Sequence, residues 1–201
     1  MMRGWSISLL LAATAACSIA PVGQAPSPIA YTRILAPLLA AHNRERAAVG
    51  SPLLAWDPTL ASSAFVHAAT LAQLGRLRHS SRQQRPGQGE NLWIGTRGDY
   101  TLSAMVGSWA IERRHFRPGR FPANSRTGNW AEVGHYTQMI WPGTTRLGCA
   151  IASSPQHDVL VCRYAPSGNV DGVMLGRRAE PRTSDNQIGT FCLTNRICTA
   201  A

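Results

Sequence analysis

Apolar residues recur every three to four positions along three stretches of the chain and then give way to alternation, which predicts helices followed by strands. In the first stretch Leu35, Leu38, Leu39, His42, Arg46 and Val49 fall at helical spacing and the pattern closes on Gly50, with Pro37 expected to mark the first turn. A second helix opens with Asp57 as N-cap and Pro58 at the first helical position, carries Leu60, Ala64, Ala68 and Leu71 on one face, and ends near Gly75. A third runs from about Thr101 to Arg114. Its stripe of Leu102, Met105, Val106 and Trp109 has Glu112 as the next position. Loops are expected at "RHSSRQQRPGQGENLW" (78–93) and around "RPGRFPANSRTGN" (117–129). "LGCAIASSPQHDVLVCRY" (147–164) reads as a hairpin turning over 153–158, which sets Cys149 opposite Cys162 and Ile151 opposite Leu160; strands continue through "DGVMLGRR" (171–178). Helices early and strands late indicate an α+β domain over about residues 31–178.

The ends of the chain follow other patterns. Residues 1–17 combine Arg3, an apolar run from Trp5 to Ala16 and small residues, the layout of a signal peptide. The run is shorter than the roughly 20 residues of a permanent span. Cys17 follows "TAA", where a lipoprotein signal places its acylated cysteine, although Thr14 stands where Leu is usual; the alternative is a cysteine discarded with the signal. Residues 18–30, "SIAPVGQAPSPIA", are Pro-rich without a period and read as a linker, and 179–201 form a C-terminal tail. The expectation is an exported protein, secreted or periplasmic, with membrane attachment only through a lipid on Cys17. In such a compartment thiols oxidise. Cross-strand Cβ atoms lie ~4.5–5.5 Å apart, near enough for Cys149 and Cys162 to bridge after small adjustment. That leaves Cys192 with Cys198 as a small terminal loop, and no CxxC metal motif.

With 44% hydrophobic and 15% charged residues the composition is globular rather than disordered, and 201 residues suit one domain. All 20 basic residues are Arg, which against 10 acids gives +10. Basic and aromatic residues are not interleaved, which with export argues against nucleic acid.

Four ionisable residues stand out: His79 after the second helix, Glu90 among glycines in "GQGENLW", Glu112 on the third helix's apolar stripe, and His135 within "NWAEVGHYTQMIW" (129–141). A carboxylate on a core-facing stripe requires a partner with a proton or positive charge, and histidine is a natural one. Each also has a plainer explanation: Glu112 exposed at a frayed helix end, His135 a core histidine bonded to a carbonyl. His42 and His67, on apolar helix faces, are read as satisfied core histidines.

Spacing alone does not bring these four together, but motifs do. "HNRER" (42–46), "GENL" (89–92), "GHYTQMIWPGT" (134–144) and "VLVCRYAPSGNV" (159–170) occur in this order, and by them the chain resembles the CAP superfamily of cysteine-rich secretory proteins, venom antigens and pathogenesis-related plant proteins. The matches run from His42 to Val170. The resemblance implies a three-layer α-β-α sandwich with a central antiparallel sheet, a helical "GHYTQ" segment, and a cleft holding His79, Glu90, Glu112 and His135. Glu132 is then placed at the rim or outside, and His42 and Asn43 pin the first helix through hydrogen bonds.

Two neutral imidazoles plus water can hold a divalent cation, Zn²⁺ before others, with His79 and His135 as ligands and the two Glu orienting them. Two protein ligands predict modest affinity, and no cofactor is required. The first reading, which the resemblance implies, is a non-enzymatic binding module with a surface groove, separate from the tetrad, for a lipid, sterol or anionic envelope component; Arg76, Arg78, Arg82 and Arg85 around His79 favour an anionic partner, the alternative being a solvated Arg face. The alternative is a metal-assisted hydrolase, peptidase-like, with Glu90 or Glu112 as base. A third is a purely architectural hydrogen-bond network.

Overall fold

The computed structural model describes residues 28–176, with side chains from residue 36 onwards. The signal segment, Cys17, Cys192, Cys198 and the tail lie outside the described residues.

Helix α1 (Pro28–Ala48) keeps Pro37 inside it rather than at its start, so the last three residues of the expected linker, 28–30, are helical. Its inward face is as the spacing demands: Leu38, His42 and Arg46 are fully buried. Helix α2 (Pro58–Leu74) begins and ends where its caps require. The Asp57 carboxylate accepts from the amides of Thr59 and Leu60, and Gly75 takes the left-handed conformation (φ 62°) that glycine adopts without penalty. Helix α3 (Leu102–Ala110) is shorter than expected. Thr101 caps it, and the segment Ile111–Arg114 tightens into a 3₁₀ turn, which carries Glu112.

The main sheet has the order β1-β4-β5-β2, comprising β1 (Ala55–Trp56), β2 (Gly89–Thr96), β4 (Arg146–Ser153) and β5 (His157–Ala165). The β4–β5 hairpin has the expected register, Cys149 facing Cys162 and Ile151 facing Leu160. Cys149 and Cys162 are joined as a disulfide. The other sheet expectations change in detail. The sheet is mixed rather than wholly antiparallel, because the two-residue β1 runs parallel to β4. The segment expected as a loop through 93 already enters β2 at Gly89, pairing antiparallel with β5. The strand over 171–178 contracts to β6 (Met174–Leu175), which pairs with β3 (Gly119–Arg120) in a separate ribbon inside the other expected loop.

Alternation along the strands divides the core into two layers. Val159 and Val161 of β5 and Leu92 of β2 meet Ala64, Ala68 and Leu71 of α2. On the opposite face Leu147, Leu160 and Tyr164 meet Leu38 of α1, Val106 and Trp109 of α3, and Met139 of α4 (Gly134–Met139). This is an α-β-α sandwich. Gly148 lets α2 lie against β4: a Cβ there would stand 2.2 Å from the Ala61 amide nitrogen and 2.6 Å from the Asp57 carbonyl.

Candidate functional site

The same alternation decides where the chemistry goes. Glu90 and Arg163 are direct cross-strand partners on the α2 face, at the β2 end that the loop after α2 reaches. Both oxygens of the Glu90 carboxylate are engaged. Oε1 accepts from His79 Nδ1 (2.6 Å) and the Ser80 amide (3.1 Å), while Oε2 accepts from Ser80 Oγ (3.0 Å) and lies 3.1 Å from Arg163 Nη1. Burial works to raise the pKa of this carboxyl. The His79 hydrogen bond and the charge of Arg163 outweigh it, and Glu90 titrates below its ordinary range.

A second pair forms from different elements. Glu112, on its 3₁₀ turn, accepts from His135 Nδ1 at 2.6 Å through Oε1. Its Oε2 accepts from the amides of His135 (2.9 Å) and Tyr136 (3.0 Å). Those amides open α4, where Val133 supplies no side-chain cap, so a carboxylate from another segment takes the N-cap's place. The "GHYTQ" segment is therefore helical, as the resemblance implied. Its aromatic and apolar residues divide between the two sides of a short helix.

Each imidazole thus gives its Nδ1 proton to a carboxylate, leaving Nε2 as the nitrogen available to a ligand. The carboxylates lie behind and the rings in front. The side chains of His79 and His135 are 56% and 37% exposed, against 0% and 17% for Glu90 and Glu112. His79, Glu90 and His135 line one cleft of about 380 Å³ together with Asn91, Trp130 and Gln138. Glu112 is not part of that lining and acts through His135. Glu132 is exposed outside it, in the turn Trp130–Glu132. Among the described residues no group of three or more His, Cys, Asp or Glu is disposed to hold a metal; the cleft presents two partly exposed imidazoles.

Behind the cleft runs a buried relay. His42 Nδ1 donates to the Leu38 carbonyl (2.8 Å), so Nε2 accepts from Tyr164 Oη (2.8 Å), and Tyr164 in turn accepts from Asn91 Nδ2 (3.1 Å). The other Asn91 proton goes to the His135 carbonyl (3.1 Å). Burial lowers the His42 pKa to about 4 and keeps the ring neutral. Asn43 exchanges two hydrogen bonds with Leu54. His42 and Asn43 are structural, as expected.

Three residues of this region escaped the sequence. His67 is not a closed core histidine: its Nε2 donates to the Arg78 carbonyl (2.9 Å) and stands 3.6 Å from Glu90 Oε2. Arg46 reads from spacing only as a helix-face position, yet its guanidinium grips the carbonyls of Pro52, Met139, Trp141 and Thr144 at 2.5–3.0 Å. Arg163 is the buried counter-charge of Glu90.

An α-β-α sandwich with two carboxylate-anchored imidazoles on one cleft defines a class of protein. The sequence profile described as "Cysteine-rich secretory protein family" matches residues 39–164. The chain belongs to that family, also called CAP. It is 37% identical over 136 residues to Pathogenesis-related protein 1C of Nicotiana tabacum, covering 67% of this chain and 76% of that protein. It is 29% identical over 136 residues to mouse Glioma pathogenesis-related protein 1, covering 64% of this chain and about half (51%) of that protein. Among solved structures, "Crystal structure of NaASP2 with Zn2+" superposes with a TM-score of 0.59 at 24% identity over 72% of this chain and 85% of that one, a likeness of fold. No helix among the described residues is long and apolar enough to cross a membrane.

Proposed function

We propose that this chain is an exported, non-enzymatic binding module whose cleft takes a divalent cation, Zn²⁺ with modest affinity, on Nε2 of His79 and His135. One observation carries the reading: both rings direct Nδ1 to a carboxylate at 2.6 Å, the arrangement that fixes tautomer and raises ligand basicity in metal-binding histidines. A bound cation would supply positive charge and exchangeable water positions to an anionic partner, and Glu90 and Glu112 would hold the two rings. The structural relative solved with Zn²⁺ accords with this. The wider partner class is a lipid, sterol or anionic envelope component.

No observation favours the hydrolase reading. Glu90 is enclosed with both oxygens on protein donors, and Glu112 lies outside the cleft's lining, so neither carboxylate faces a water held in the cleft. The test is a calorimetric zinc titration in chelator-treated buffer, comparing the native chain with His79→Ala/His135→Ala. Saturable binding that the double variant loses supports the cleft as a cation site; a folded native protein that binds no zinc overturns it.

A further inference from the structure

We infer that the chain has a second ligand site, distinct from the His/Glu cleft: a pocket for the phosphate group of a small organic molecule, between α2 and the loop that follows it. The inference deepens the anionic-partner part of the reading above and is independent of the metal. A cavity of about 700 Å³ opens there, walled by Ser63, His67 and Thr70 of α2, Arg78 and Gln84 of the loop, and Arg163 of β5. It meets the first cleft only at His79, which lines both.

The donors are arranged for an anion. Arg163 is buried (2% exposed), with Nη1 given to Ser80 Oγ at 2.9 Å and to Glu90. Its Nε is buried and has no hydrogen-bond acceptor among the described residues. A guanidinium carries five N–H donors, and leaving a charged one unmatched in a buried setting is unfavourable, so Arg163, which lines the cavity, has donor capacity to spare beside it. Arg78 stands exposed at the mouth, its backbone fixed by the His67 hydrogen bond to its carbonyl. Hydroxyls of Ser63, Thr70 and Ser81 and the amide of Gln84 complete a wall with no acidic residue in it. The nearby carboxylate, Glu90, is fully enclosed and already engaged.

Size narrows the ligand class. Pockets for small molecules measure about 300–1,000 Å³, so this one has room for an organic group as well as the anion. Val66, on the wall and 68% exposed, offers that group an apolar contact. A phosphate ester fits both parts, whether a soluble phosphorylated molecule or the headgroup of an anionic lipid.

Inorganic phosphate titrated into the labelled chain, followed by amide NMR in metal-free buffer, tests the site. Arg78→Ser removes the charge at the mouth, and Arg163→Lys keeps the counter-charge of Glu90 while removing the forked donor. Arg97→Ser is the control, an exposed arginine beyond the other end of β2, about 20 Å from Glu90 at the rise of a strand. The expected result is saturable shifts at Ser63, Thr70 and Arg78, with affinity weakened at least fivefold by Arg78→Ser and by Arg163→Lys and unchanged by Arg97→Ser. Arg78→Ser decides alone should Arg163→Lys not fold. A folded protein without saturable shifts, or equal weakening by Arg97→Ser, overturns the site. Co-sedimentation with phosphatidylglycerol vesicles then identifies the source. Binding lost in Arg78→Ser supports a lipid headgroup; phosphate binding without vesicle binding supports a soluble ester. Zinc binding by the same samples is read separately, so either site can fail alone.

Discussion

The two carboxylates of the cleft look alike in sequence, each paired with one histidine at 2.6 Å, yet their removal should have unequal consequences. Glu90→Gln leaves Arg163 as a buried guanidinium without a counter-charge. Breaking one side of a buried ion pair costs about 3–5 kcal/mol. Glu112 has no such partner. In Glu112→Gln the amide oxygen can still accept from the His135 and Tyr136 amides, so the helix cap persists without its charge, worth about 0.3–1 kcal/mol. The charge-assisted bond to His135 adds about 1–2 kcal/mol, taken low because that ring is more than a third exposed. A domain of this size shifts its Tm by about 2–4 °C per kcal/mol. Glu90→Gln should therefore lower Tm by roughly 6–20 °C and Glu112→Gln by roughly 3–12 °C, measured by calorimetry at neutral pH.

The decisive comparison is the double variant Glu90→Gln/Arg163→Met, which removes the stranded charge together with its partner. Replacing both members of a buried pair by neutral groups is often close to neutral, so the double variant should recover most of the loss. A double variant no more stable than Glu90→Gln, or a Glu112→Gln loss at least as large as that of Glu90→Gln, would refute the assignment of Arg163 as the counter-charge.

Two further outcomes follow from buried groups of α1. Arg46→Lys retains a charge but offers one ammonium where a guanidinium reaches four carbonyls, so it should destabilise by about 3 kcal/mol in urea unfolding; a change under about 1 kcal/mol would contradict the clasp. His42 has a folded-state pKa of about 4 against an ordinary 6.5, so its contribution to stability is complete above 6.5 and is lost as pH falls from 6.5 towards 4. Tm should decline across that window and the decline should shrink in His42→Gln, whereas a native Tm constant from pH 7 to 5 would exclude a buried neutral ring.

What could be read from the sequence depended on whether an element has one wet face. Helix α2 was legible to its ends because Asp57, Pro58 and Gly75 act locally, and the β4–β5 register was legible because the turn and the period of two agree. Strand β2 was hidden. Its first four residues, Gly89 to Leu92, are buried on both faces, so they show no alternation, and Gly89, with Gly87 just before it, imitates a loop. The helical start of α4 was hidden for a related reason, since its cap is Glu112 from another segment. His79 and Glu90 stand 11 positions apart in the chain and Glu112 and His135 stand 23 apart, and only the order of family motifs brought them together. Arg163 is the instructive omission, because its signal was present. The hairpin register that paired Cys149 with Cys162 also sets Arg163 in line with Val159 and Val161, a charge at the end of an apolar stripe. That is the same argument that singled out Glu112 on its helix. Applied to the strand, it requires a buried carboxylate near Arg163, and the one acid that β2 carries, Glu90, stands directly opposite.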